Sequence, residues 1–196
     1  MRIIAGQWRG RRLQAPTGKG TRPTSDRMRE ALFSSIHSRI GSFAELRVLD
    51  AFAGSGALGL EALSRGAAFL AAVESDMKAC RIIESNYNSL QVNSPAKEQF
   101  RLYRGDIFKT CTRLQGLAVD LAFFDPPYEL SDEKLCELLQ VLAEKKVFAQ
   151  GALLIIERAK TKQGAGEITD LLPEGINILD TKTKGETTLY FASYFP

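Results

Sequence analysis

From Arg47 to Glu157 short apolar stretches alternate with stretches of helical period, and no other feature of the chain limits its fold as much. Val48–Phe52, Phe69–Glu74, Phe100–Arg104, Ala118–Phe124 and Gly151–Glu157 read as strands. Residues 57–65, 76–91, a short piece after Asp106, and 131–146 read as helices, with a weaker one near 164–172. Strands separated by helices require right-handed crossovers and hence a parallel sheet. Asn177–Lys182 and Thr187–Tyr194, joined by a turn at Gly185, add an antiparallel hairpin at the sheet edge. The expected fold class is α/β, a seven-stranded, mostly parallel sheet closed by that hairpin.

The N-terminal part is different in kind. Residues 2–15 hold two short strand-like pieces around Gly6 to Gly10 and predict a hairpin with Trp8 and Arg9 near its tip. Trp8 serves either to stack on a base or to pack against the body. Residues 16–23 form a Gly/Pro loop, Thr24 to Asp26 offer a helix cap, and Met28, Ala31, Leu32, Ile36 and Ile40 recur at helical spacing over 25–40. Residues 1–40 carry nine Lys/Arg against two acids, a balance of +7, which leaves −4 for the rest of a chain of net charge +3. Eight of those nine are arginine, the side chain suited to bidentate phosphate contacts. Two parts are therefore expected: a basic extension, 1–40, and a catalytic or binding body, 41–196.

Some functions are disfavoured early. No apolar run approaches the ~20 residues of a membrane helix, and the basic N-terminus lacks a signal peptide's apolar core. Cys80, Cys111 and Cys136 are odd in number and widely spaced, which suits reduced thiols in a cytoplasmic protein and no metal site. His37, the sole histidine, has no triad partners near it and reads as a surface residue.

The chemistry gathers at strand ends. Gly54 to Gly59 matches G-x-G-x-x-G between strand one and a helix, and Glu74 follows 20 residues after Gly54. That pattern alone permits a dinucleotide. Asp50, four residues before Gly54, puts a negative charge where a pyrophosphate would be repelled and a cationic sulfonium or ammonium attracted. Asp106 adds an acceptor suited to an adenine amine. Three acids at successive strand ends favour S-adenosylmethionine. Asp125-Pro126-Pro127-Tyr128 closes strand four. There a carboxylate and the Pro126 carbonyl can accept hydrogen bonds from an exocyclic amine, while the tyrosine ring stacks on a flat substrate.

RIIAGQWRGRRL at 2–13, RPTSDRMREALF at 22–33, LDAFAGSGALGLEALSRGA at 49–67 and DPPY at 125–128 together resemble the bacterial family that methylates the guanine N2 amine of small-subunit (16S) ribosomal RNA. The resemblance spans the chain. Thr21 stands where an aliphatic residue is expected, and Ala51 where Leu is more usual. It implies a Rossmann-like class I S-adenosylmethionine-dependent methyltransferase. Asp125, Pro126 and Tyr128 would be catalytic, and Asp50, Phe52, Gly54, Ser55, Gly56, Glu74, Asp106, Ile107 and Asp125 would bind the cofactor. Arg9, Arg11, Arg12, Arg22, Thr24, Arg27, Arg29 and Tyr128 would contact RNA. The expected partner is small-subunit ribosomal RNA, as naked RNA or in the assembled subunit, with the protein a cytoplasmic monomer. The alternatives are an adenine-N6 methyltransferase on DNA or RNA, a non-catalytic RNA-binding assembly factor, and an NAD-linked dehydrogenase.

Overall fold

The computed structural model describes residues 1–15, 26–91, 99–160 and 168–196. The elements run α1 Asp26–Ile40, β1 Arg47–Asp50, α2 Ala57–Ser64, β2 Phe69–Glu74, α3 Met77–Leu90, β3 Phe100–Arg104, α4 Ile107–Thr110, β4 Val119–Phe124, α5 Asp132–Glu144, β5 Phe148–Ala159, β6 Ile176–Lys184 and β7 Thr187–Tyr194. Seven strands form one sheet in the order β3-β2-β1-β4-β5-β7-β6. β6 and β7 are the antiparallel closing hairpin, turning at Gly185 with φ +63°. The α/β architecture expected from the alternation is the one observed. The expected Gly/Pro loop, most of the 24–26 cap and the first four residues of the 164–172 helix lie outside the described residues; Ile168–Asp170 is a single 3₁₀ turn.

The chain divides into two compact units, Met1–Ile107 and Phe108–Pro196. In the first, β1, β2 and β3 pair in parallel, Leu49 opposite Ala71 and Ala72 opposite Leu102. Val48, Leu49 and residues 70–73 are buried, as continuous apolar strands under helices should be. α3 starts at Asp76, whose carboxylate accepts the N–H groups of Lys78 (2.6 Å) and Ala79 (3.2 Å). Those bonds hold the Asp76 carboxyl below the usual carboxylate range. α1 buries Arg29, Leu32, Phe33 and Ile36. That stripe is rotated from the expected one, because the large Phe33 goes inward and Ala31 is exposed.

Residues 1–15 do form a hairpin, though only one ladder bridge, Arg2 to Arg12, is regular. Ile3 N–H donates to the Arg11 carbonyl (2.9 Å) and Leu13 N–H to that of Met1 (3.0 Å). Ile3, Trp8 and Leu13 are buried, so Trp8 packs against the body rather than standing free for a base. Gly6 fixes the approach to α2. Its φ is +84°, and a Cβ there would lie 1.8 Å from the Ser64 carbonyl oxygen, a space that only glycine fits.

In the second unit β4 and β5 are parallel, with Phe124 opposite Ile156, and β5 pairs antiparallel with β7. β5 begins three residues earlier than the sequence suggests. Its irregularity lies opposite Val119 to Leu121, where Gly151 (φ +81°) takes up the extra length. α5 is capped by the Ser131 hydroxyl and buries Leu135, Cys136, Leu138, Leu139 and Leu142. All three cysteines are buried free thiols, and burial pushes Cys136 up to about 11, far from reactive. His37 is exposed and lies parallel to Phe43. No helix among the described residues is long and apolar enough to cross a membrane.

Candidate active site

The first unit gathers its acids on the C-terminal edge of its parallel strands, where ligands of open α/β sheets bind. Asp50 ends β1, 2% exposed, and its Oδ2 accepts the Gly59 N–H at 3.1 Å. The loop Gly54 to Gly56 then turns into α2. Gly59 lies so close to β2 that a Cβ would meet Leu70 at 2.6 Å, which is the helix–strand packing role of the last glycine in the fingerprint. Gly56 takes φ +77° as the residue before α2. Gly54 takes φ +55°, and a Cβ there would project into open space.

Glu74 ends β2 and is tied to that loop. Its Oε2 accepts the Gly54 N–H and its Oε1 the Asp76 N–H, both at 2.7 Å. The Ser75 hydroxyl adds a longer bond to Oε1 (3.5 Å), which leaves about one of a carboxylate's four acceptor sites. Glu74 pairs with Arg104 across the β2–β3 register, and Gly105 N–H donates to its carbonyl (2.8 Å), which puts Asp106 at the same edge. Asp106 is exposed, Ile107 buried and Phe52 half-buried. Met77, 53% exposed at the start of α3, adds an apolar surface three residues from Glu74 that the sequence did not flag.

The second unit holds the Asp-Pro-Pro-Tyr turn. Pro126 is buried, while Asp125 and Pro127 are exposed and the Tyr128 ring is 57% exposed. Protein around the Asp125 carboxyl nevertheless desolvates it and pushes its pKa up to about 6.

Two neighbours of this turn were not foreseen. Glu157 follows Ile156 as Asp125 follows Phe124, so parallel register sets the two carboxyls side by side. Burial, then the Asp125 charge, push Glu157 up to about 7, against a hydrogen bond from Thr187. Arg158 donates to Asp132 Oδ1 (2.6 Å) and to the Leu130 carbonyl (2.5 Å), and Leu130 N–H bonds the Pro127 carbonyl (3.0 Å). Residues 127–132 are thus held on both sides of Tyr128. The signal for both residues was the charged pair Glu157-Arg158 closing an otherwise apolar strand at its C-terminal end.

This carboxyl pair has a consequence for stability. Both groups bind protons more tightly in the folded chain than in the unfolded one. Their ionisation therefore weakens the fold progressively as pH rises from about 4 through about 7. Glu157→Gln removes one of these charges while keeping an acceptor for Thr187. Thermal melts should show a higher Tm than wild type at pH 8 and a much smaller gain at pH 5; an equal gain at both pH values would contradict this.

The basic residues separate into kinds. Arg9, Arg11, Arg12 and Arg27 are exposed. Arg22 and Thr24 lie outside the described residues. Arg29 is 1% exposed, and its Nη2 donates to Asp26 Oδ1 (2.8 Å) and the Arg2 carbonyl (2.5 Å). It ties α1 to the arm, and a phosphate would have to displace both partners to reach it. Among the described residues no cluster of His, Cys, Asp and Glu could hold a metal.

Residues 1–193 match the family described as "Conserved hypothetical protein 95". Ribosomal RNA small subunit methyltransferase D of Haemophilus influenzae is 33% identical over 185 residues, covering 94% of this chain and 89% of the relative. The chain belongs to the ribosomal RNA small-subunit methyltransferase D family. A solved Escherichia coli chain described as a methyltransferase, yhhF, superposes with a TM-score of 0.78 at 31% identity, covering 100% of this chain and 98% of that one. A more distant structure, SMU.776, is described as a methyltransferase complexed with SAH; its TM-score is 0.68 at 16% identity over 89% of this chain and 50% of its own, a likeness of fold. The methyltransferase D relative thus matches nearly the whole length of this chain, and the solved chain matches its fold.

Proposed function

We propose that the protein transfers a methyl group from S-adenosylmethionine to the exocyclic N2 amine of a guanine in small-subunit ribosomal RNA, in the cytoplasm and on the assembled subunit. The observation that carries this reading is the Asp125–Tyr128 turn, with a partly desolvated carboxylate, a neighbouring proline carbonyl and an exposed aromatic ring. Family membership supports methyl transfer to ribosomal RNA, and the turn supports an amine as the acceptor.

The first unit fits the donor. Open space at Gly54, the anchored Glu74 carboxylate and the exposed Asp106 supply room, a ribose acceptor and an adenine acceptor. Asp50, Phe52, Ser55, Gly56 and Ile107 complete the proposed set. When bound, S-adenosylmethionine supplies an electrophilic methyl group on a cationic sulfur. The residues of this chain then do the positioning. The guanine N2 lone pair is delocalised into its ring and is a poor nucleophile. Asp125 and the Pro126 carbonyl accept its two N–H bonds and fix the nitrogen's orientation, a contribution worth several kcal/mol. As the N–C bond forms and the S–C pair stays on sulfur, the nitrogen becomes positive, and the Asp125 charge stabilises it. The surplus proton passes to Asp125 and on to solvent. Tyr128 stacks on the unpaired base. Arg9, Arg11, Arg12, Arg27 and, by resemblance, Arg22 and Thr24 hold the backbone, giving affinity without sequence information.

The test is transfer of labelled methyl to three acceptors in parallel: small subunits lacking the modification, protein-free small-subunit RNA, and duplex DNA. Label on the subunits is the expected result. Label on DNA alone would favour an adenine-N6 enzyme, and donor binding without transfer to any of the three would favour a non-catalytic assembly factor.

A further inference from the structure

The buried face of α3 consists of Ala79, Cys80, Ile83, Leu90 and one amide, Asn86, 1% exposed. An amide removed from water is costly unless its hydrogen bonds are made, and asparagine is a poor helix former. A small apolar residue would complete this face more cheaply. The amide is used instead to join two distant segments. Its Oδ1 accepts the Gln14 N–H at 2.8 Å, and its Nδ2 donates to the Gln14 carbonyl and to the Ser55 carbonyl, both at 3.0 Å. Gln14 ends the basic arm, and Ser55 is the middle of the glycine loop. The other strand of the arm reaches the same place, with the Ser55 hydroxyl 3.4 Å from the Met1 sulfur and Met1 paired to Leu13.

We propose that Asn86 is a positioning residue that makes RNA binding by the arm and S-adenosylmethionine binding by the glycine loop cooperative; this rests on the function proposed above. With the arm seated, three hydrogen bonds fix the amide, and the amide fixes the Ser55 carbonyl. With the arm lifted, two of the three are lost and the Ser55 carbonyl faces a donor free to turn away. RNA that holds the arm down therefore favours the loop geometry that the donor needs. By linkage, the donor favours RNA binding by the same factor.

The test is calorimetric titration of S-adenosylmethionine, with and without saturating protein-free small-subunit RNA, for wild type, Asn86→Ala and Asn86→Ser. The last variant keeps a small polar side chain that can bond back to its own helix but is too short to join Gln14 and Ser55. Wild type should bind the donor roughly 5- to 10-fold more tightly with RNA present, within the usual range of such couplings. That ratio should fall below about twofold in both Asn86→Ala and Asn86→Ser. The ratio is the informative quantity, because a merely structural loss weakens donor binding equally with and without RNA. An unchanged ratio in either folded variant would overturn the proposal, and should Asn86→Ala not fold, Asn86→Ser decides alone. Independent binding of donor and RNA to wild type would also overturn it while leaving the proposed function intact. Failure of wild type to bind the donor at all would remove both.

Discussion

Asp125→Ala should lower the rate of methyl transfer by at least about 10²- to 10³-fold, the range seen when one preorganised group facing a developing charge is removed. Donor binding, measured by calorimetry, should persist, because the glycine loop and Glu74 belong to the other unit of the chain. Asp125→Asn separates orientation from charge. Its amide keeps one acceptor oxygen but turns a donor toward the substrate amine and carries no charge, so it should recover little. The pH dependence follows from the same carboxyl. Stabilising a cation and taking up the surplus proton both require the ionised form, so kcat should rise across the region of pH 6 to 7 set by the Asp125–Glu157 pair. Transfer by Asp125→Ala at near the wild-type rate would mean that the nitrogen is oriented by some other group.

Glu61→Ala should destabilise the protein by about 3–5 kcal/mol, the cost of removing one partner from a buried ion pair. Glu61 is completely buried, an unusual place for a carboxylate on an otherwise apolar helix. Its Oε2 accepts the Ile4 N–H (2.7 Å), and its Oε1 accepts the Ala5 N–H (3.0 Å) and the Arg65 Nε (2.8 Å). The Arg65 guanidinium in turn covers Phe33, 4.8 Å from the ring centroid. Ser64 continues the seam by accepting the Trp8 N–H (3.0 Å) and donating to the Ala5 carbonyl (2.6 Å). Without the carboxylate, two backbone N–H groups and a guanidinium lose their acceptor together. Denaturant melts read the loss of stability. Limited trypsin digestion reads its location, since cleavage after Arg9, Arg11 or Arg12 should accelerate once the arm is loosened. Unchanged melts and unchanged cleavage would show that the arm is held by its buried side chains alone.

The frame of the molecule was legible because it rests on local pattern. Apolar strands of five to seven residues, a glycine fingerprint and a proline turn each announce themselves within a short window, and Asp50, Glu74, Asp106 and Asp125 are readable as acids at strand ends. What escaped depends on partners far away in sequence. Glu157 looks like the polar end of a strand, and only the β4–β5 register, shifted by the irregularity at Gly151, puts it beside Asp125. Glu61, Ser64 and Asn86 look like ordinary polar helix residues, yet each is 2% exposed or less because its partner is a backbone segment of the arm. Arg29 misled in the opposite direction. Among clustered arginines it reads as a phosphate ligand, but its guanidinium is enclosed by Asp26 and the Arg2 carbonyl. Charge counting cannot distinguish a cation that faces solvent from one that closes a fold.

The most direct test of the central claim is the identity of the methylated nucleoside. Small subunits lacking the modification, incubated with the protein and labelled S-adenosylmethionine, would be digested to nucleosides and separated. The account predicts label in N2-methylguanosine, made by wild type and lost with Asp125→Ala. Label in N6-methyladenosine, or in a ring-methylated base whose acceptor is not an exocyclic amine, would contradict it.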